Sequence, residues 1–278
     1  MRTIAELYEA ARERNQSLGE AALAWQMAES KESEAAVRGR MAQALAVMKD
    51  SVQAGLDPEL RSVSGMVGGG AARMANPAQA GRFGLLGKAA AYALSVAESN
   101  ACMGKIVAAP TAGSCGILPG ALLAAQEEMG FSQEELVMAL FAAAAVGRVI
   151  ALSATISGAQ GGCQAECGSA AAMTAAALTQ LYGGTPKQAC DAGGFALMNM
   201  MGLVCDPVHG LVEVPCVYRN VGGVSQALAA AQMALSGVAC PIDVDELITA
   251  MKEVGESMPP SLRETGEGGC ASCAGCGR

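Results

Sequence analysis

Apolar residues along this chain recur mostly at helical spacing, and polar, glycine and proline positions mark where helices start and stop. Ser17 and Glu20 have the S-x-x-E spacing of a capping box, in which two side chains satisfy N–H groups at a helix start. They predict a long helix to about Ala54, ended by Gly55. Its Glu29, Lys31, Glu32, Glu34, Arg38 and Arg40 form a polar face suited to solvent or a partner chain. Asp57-Pro58 supplies a second start. Ser132 and Glu135 make another capping box, ahead of an apolar run over 136–156. That run imitates a membrane span, but Arg148 interrupts it and alanine dominates it, so a buried helix is expected. Further helices are expected over 85–98 and 119–129, after Cys163 to about Tyr182, and from Thr185-Pro186 to near Leu203. Two more run over 221–236 and from Asp243 to about Ser257.

Between these lie irregular stretches: the glycine-rich 63–81, a loop over 100–116 with a short extended core at 105–109, and the break at Gly158 to Gly162. No hairpin signal or alternating strand run appears. The expected class is therefore mainly α, a single compact helical domain with its chemistry on loops at helix ends. The chain divides into an N-terminal helical segment (1–56), a helical domain (57–258) and a Gly/Cys-rich tail (259–278) that Pro259, Pro260 and the glycines keep out of helix and leave mobile.

Composition narrows the function. Apolar residues make up 52% and aromatics 3%, so the core is built from small and aliphatic side chains that let helices approach closely. The net charge of −8 argues against a nucleic-acid surface. The first residues are charged and lack an apolar signal region, which points to the cytoplasm. In that compartment eleven cysteines read as reduced thiols. Cys102, Cys115, Cys167, Cys190 and Cys240 are expected as small hydrophobes or loop thiols.

Three other cysteines stand in glycine- and proline-punctuated loops: Cys163 in S-G-A-Q-G-G-C-Q-A-E, and Cys205 and Cys216 framing C-D-P-V-H-G-L-V-E-V-P-C. Two antiparallel helices between Cys163 and Cys205 would return the chain to the same end of a bundle. Three thiolates can hold three irons of a [4Fe–4S] cluster and leave the fourth open as a Lewis acid. Spacing alone leaves this open against three unrelated buried thiols. The tail run Cys270, Cys273 and Cys276 lacks the final C-P of ferredoxin patterns, and zinc would need a fourth ligand. It reads as oxidisable tail thiols, or as the source of a ligand for the open iron. The glycines 68–70 offer backbone N–H groups to an anion, and Thr111-Ala112-Gly113-Ser114 is a better cradle for a carboxylate. Lys105 lacks the context of a pyridoxal phosphate lysine and suits anion pairing. His209, the single histidine, lies in the cluster loop without a required role. Arg219 could offset cluster charge or pair with a carboxylate.

Five stretches together resemble the α chain of two-subunit, iron–sulfur-dependent L-serine dehydratases. They are S-G-M-V-G-G-G (64–70), S-N-A-C-M-G-K-I-V-A-A-P-T-A-G-S-C-G-I-L-P (99–119), S-G-A-Q-G-G-C-Q-A-E (157–166), C-D-P-V-H-G-L-V-E-V-P-C-V-Y-R-N (205–220) and L-R-E-T-G-E-G-G (262–269). The resemblance implies a [4Fe–4S] cluster on Cys163, Cys205 and Cys216; a fourth ligand at rest from Cys270, Cys273 or Cys276 is a reading of the tail itself and does not come from the resemblance. It implies conversion of L-serine to pyruvate and ammonia. Substrate contacts are then expected from Gly69, Asn100, Lys105, Thr111, Gly113, Ser114 and Arg219, and a separate β chain completes the enzyme. A cluster-dependent lyase acting on cysteine and a non-catalytic redox- or metal-sensing scaffold are the rival readings.

Overall fold

Both predicted capping boxes close. Ser17 and Ser132 each accept the N–H of the residue three ahead at 3.2 Å, and each donates its own N–H to that residue's carboxylate at 2.7 Å. The computed structural model describes residues 1–277, with only the backbone of Ala80, Cys276 and Gly277 described. In chain order the helices are α1 (Ile4–Glu13), α2 (Leu18–Ser30), α3 (Glu34–Gly55), α4 (Gly70–Met74), α5 (Pro77–Ala80), α6 (Gly84–Ala101) and α7 (Ile117–Met129). They continue with α8 (Gln133–Ser153), α9 (Gly158–Gly161), α10 (Ser169–Leu181), α11 (Pro186–Met200), α12 (Cys216–Leu235) and α13 (Val244–Ser257). Among the described residues there is no strand, only one isolated parallel bridge between Cys205 and Arg263. The fold is mainly α in one body, as expected.

Four details differ from expectation. The long first helix divides in two, because Lys31 turns left-handed (φ 57) to close α2 and Ser33 accepts from Ala36 to start α3. A helix precedes it: Thr3 caps α1, and Asp245 of α13 accepts the N–H groups of Ile4 and Ala5 at 2.7 and 3.0 Å. The segment 105–109 forms no strand. The 63–81 stretch carries α4 and α5.

Helix α10 is the centre. All but one of its residues are buried, and it packs against α8, α11, α12 and α7. Its alanines explain why: a helix surrounded on several sides has no room for longer side chains at native density. The same logic sets α6 against α7, where a Cβ on Gly120 would lie 2.6 Å from the backbone nitrogen of Ala93. Helix α8 is long and apolar enough to cross a membrane, but 67% of its apolar window is buried within the protein. Its Arg148 pairs with Glu29 at 2.7 Å and stacks 4.2 Å over Trp25.

The C-terminal segment is laid against the body, not free as expected. Cys205 donates its N–H to Leu262 at 2.9 Å, and Glu264 donates to Cys205 at 2.7 Å.

Candidate active site

Cys163 is set by glycine and by its neighbour. After α8 the chain turns through α9 to Gly162, whose φ of 73° favours glycine and where a Cβ would meet Met258 Sδ at 2.6 Å. Cys163 then opens a π-turn (Gln164–Gly168) that runs into α10. Such turns insert one residue into a helix and re-aim side chains. Gln164, fully buried, fixes the turn: Nε2 donates to Met251 at 2.8 Å and Oε1 accepts from Gly202 at 2.8 Å. Glu166 follows one turn after Cys163.

Cys205 and Cys216 come from the next loop. Val208 donates to Val214 at 2.8 Å and folds 208–214 into a closed excursion, after which Cys216 begins α12. His209 sits exposed on this excursion. Arg219, in the first turn of α12, donates to the Val204 carbonyl at 2.7 Å and pairs with Asp206 at 2.7 Å. Its guanidinium also reaches the Cys163 sulfur.

These elements enclose a cavity of about 300 Å³ lined by Asn100, Gly113, Glu166, Cys205, Cys216 and Glu264, among others. Cys163 is buried and does not line it, and its sulfur lies 3.3 Å from that of Cys167. Burial pushes the Cys216 thiol up to about 12 and raises Cys205 as well, and the charges of Cys163 and Glu166 add to both effects. The Cys167 S–H holds Cys163 below the ordinary thiol range against the opposing effect of burial, with help from Arg219. Glu166 is raised by burial, partly offset by the Thr111 hydroxyl, which donates to it. The raised thiols, Cys205 and Cys216, hold their protons more tightly than a free cysteine, and a bound cation would take the proton's place. Cys163, Cys205 and Cys216 are the residues here that could hold a metal group. Among the described residues no three His, Cys, Asp or Glu side chains converge as a single ion requires.

The other expected residues divide into two sets. Of the 111–114 loop, Gly113 lines the cavity and passes 3.5 Å from Glu166 (measured to a Cβ built on the glycine); Thr111 reaches it through its hydroxyl on Glu166, while Ser114 is fully buried and shares a hydroxyl contact of 3.1 Å with Thr111. Asn100 lines the cavity and donates to the Ala112 carbonyl at 3.1 Å. Gly69 lies apart, in a cradle already filled by this chain: Gly70 and Ala71 donate their N–H groups to the buried carboxylate of Glu98, each at 3.0 Å. Lys105 is exposed and does not line the cavity. Arg219 lies beneath the thiols. In the tail, the Cys270 N–H donates to Asp206 at 2.6 Å, while Cys273 is exposed, and neither lines the cavity. The side chain of Cys276 lies outside the described residues.

Sequence reasoning passed over Glu166 and Glu264. Glu166 was findable, one helical turn from Cys163. Nothing in the spacing brings Glu264 beside Cys205, because a single bridge across the fold does that.

Thiols, carboxylates and hydroxyls gathered on a small cavity at helix ends make the site of an enzyme. Residues 13–271 match the profile of the serine dehydratase alpha chain family, and the chain belongs to that family. It is 44% identical over 274 residues to the probable L-serine dehydratase, alpha chain, of Bacillus subtilis (strain 168), covering 98% of this chain and 91% of that one. It is 42% identical to the L-serine dehydratase, alpha chain, of Peptoniphilus asaccharolyticus, over 98% of this chain and 94% of that one. It is 43% identical to the L-serine dehydratase TdcG of Escherichia coli (strain K12) over 67% of this chain, which spans only 41% of that longer protein.

Proposed function

We propose that this chain is the α chain of an L-serine ammonia-lyase that forms pyruvate and ammonia with a [4Fe–4S] cluster held by Cys163, Cys205 and Cys216. One observation carries the reading: Cys205 and Cys216 line the cavity together with Glu166 and Gly113, and the buried Cys163 lies near enough for its charge to act on both thiols. The donor set fits. A cubane takes each thiolate on a different iron, so its ligands surround a space and do not meet at a point. Glycine at 158 keeps a side chain off the thiol, since a Cβ there would lie 3.0 Å from Cys205 Sγ. When bound, the cluster supplies an open iron as a Lewis acid for a substrate oxygen.

The chain's own residues do the rest. Arg219 offsets negative charge at Cys163. The hydroxyls of Thr111 and Ser114 and the N–H groups of their loop bind the substrate carboxylate, while Asn100 holds that loop through the Ala112 carbonyl. Glu166 and Glu264 present carboxylates to the ammonium group. Loss of the α-proton and the β-hydroxyl gives aminoacrylate, which tautomerises to an imine and hydrolyses.

A separate β chain completes the enzyme. Support comes from the relatives named as alpha chains and from the greater length of the Escherichia coli relative. Reduced cysteines suit the cytoplasm. The test is anaerobic co-purification with the β chain, followed by iron, sulfide and pyruvate assays. About four irons per α chain and pyruvate from L-serine are expected. An iron-loaded pair that leaves serine intact, or that prefers cysteine, overturns the reading.

A further inference from the structure

The thiol of Cys167 is not among the proposed cluster ligands, yet it is in direct contact with one of them. It lies in the π-turn that Cys163 opens, and its Sγ lies 3.3 Å from Cys163 Sγ. Both side chains are buried, at 1% and 2% exposure, and both are free thiols. Residues four apart on a helical coil have Cα atoms about 6 Å apart, which is inside the range of about 4.4–6.8 Å that a disulfide spans. Joining the sulfurs therefore takes side-chain rotation and a sulfur movement of about 1 Å, with no rearrangement of the backbone.

We propose that Cys167 is a resolving thiol for Cys163: when the cluster is lost, a hydroperoxide joins the two as a disulfide and withholds the ligand until a dithiol restores it. The identity of Cys163 as a ligand rests on the proposed function; the disulfide itself does not. The chemistry balances. Peroxide oxidises one thiol to a sulfenic acid and leaves as water, and the second sulfur displaces a further water from the sulfenic sulfur. Two thiols and one peroxide thus give one disulfide and two waters. A sulfenic acid with no thiol in reach goes on to the sulfinic acid, which reductants do not reverse. Cys167 so turns a permanent loss of the ligand into a reversible one.

The sequence makes the test clean. No Lys or Arg lies between Arg148 and Lys187, so trypsin releases 149–187 with Cys163 and Cys167 as its two cysteines. Cys190, Cys205 and Cys216 fall together in the next peptide, 188–219. The cluster-free full chain is treated with one equivalent of hydrogen peroxide, alkylated, digested and weighed. The 149–187 peptide is expected unalkylated and two hydrogens lighter, and a dithiol should restore both thiols. In Cys167→Ala treated with two equivalents of hydrogen peroxide, one for each oxygen, the same peptide should carry Cys163 with two added oxygens, and iron loading should stay low after reduction. A doubly alkylated 149–187 peptide while other cysteines oxidise, or a cross-link from it to 188–219, overturns the proposal. Full iron loading of an untreated Cys163→Ser chain would instead break the functional reading and leave the disulfide result standing.

Discussion

Arg219 and Asp206 form a buried ion pair, with Nη2 2.7 Å from Oδ1 and side chains 15% and 3% exposed. Arg219 also holds the Val204 carbonyl, and Asp206 Oδ2 accepts the Cys270 N–H at 2.6 Å. One pair thus ties the first turn of α12 to the Cys205 loop and to the C-terminal segment. Burying a charge is unfavourable, and the pair is tolerable because both ends have partners. Removing one end leaves the other exposed to the full cost. Arg219→Met is expected to destabilise the chain by about 3–5 kcal/mol in urea unfolding, with Asp206→Asn in the same chain recovering part of it. A loss below about 1 kcal/mol, the value of a surface pair, would mean that Asp206 finds water when Arg219 goes.

The cysteine assignment makes a prediction about iron. Cys163→Ser, Cys205→Ser and Cys216→Ser should each lose cluster absorbance and iron together after anaerobic purification. Cys190→Ser should keep both, because burial in α11 holds that thiol at about 12, away from the cavity. Iron at the native level in Cys205→Ser removes Cys205 from the ligand set.

Gly158 gives a steric test. An alanine there would place Cβ 2.8 Å from Glu166 Oε2 and 3.0 Å from Cys205 Sγ. Overpacking of this kind costs about 1–3 kcal/mol, and here the crowded atoms are those that face the cavity. Gly158→Ala should therefore fold, by circular dichroism, yet retain less than about half the native iron when loaded, since the 1–3 kcal/mol falls on the ligand. Native iron content would show that the loop moves aside.

Glu98 is the anion of the glycine cradle, and its role is structural. Glu98→Gln replaces a carboxylate that accepts two backbone N–H groups with an amide that has one acceptor oxygen. A loss of about 1–3 kcal/mol in unfolding free energy is expected, with iron loading unchanged. Reduced iron with native stability would place Glu98 in the site instead.

Helix starts were legible in the sequence because capping is local: Ser17, Ser132, Thr185 and Asp243 all cap the helices they announce. The break at Lys31 was not. Its left-handed backbone stands at an ordinary-looking lysine inside an unbroken polar face, and only the packing of α2 and α3 calls for a turn there. The cavity lining was legible where one motif carried it. Cys205 and Cys216 share a loop, and Thr111 to Ser114 share another. Contacts between distant motifs were invisible: Glu98 filling the cradle at Gly70, and Glu264 at the mouth of the cavity. A glycine run advertises room for an anion but does not say whose anion arrives.

The bridge between Cys205 and Arg263 also sets a clock on the ribosome. Cys163, Cys205 and Cys216 are all made well before residues 262–264, whose backbone fixes Cys205 from both sides. A nascent chain that has just exposed its last cavity thiol still lacks the segment that holds Cys205 in line and brings Glu264 to the mouth. Until Glu264 has emerged, the Cys205 backbone does not have both of these partners. The wall of the cavity that Glu264 supplies is therefore the last part of it to be made.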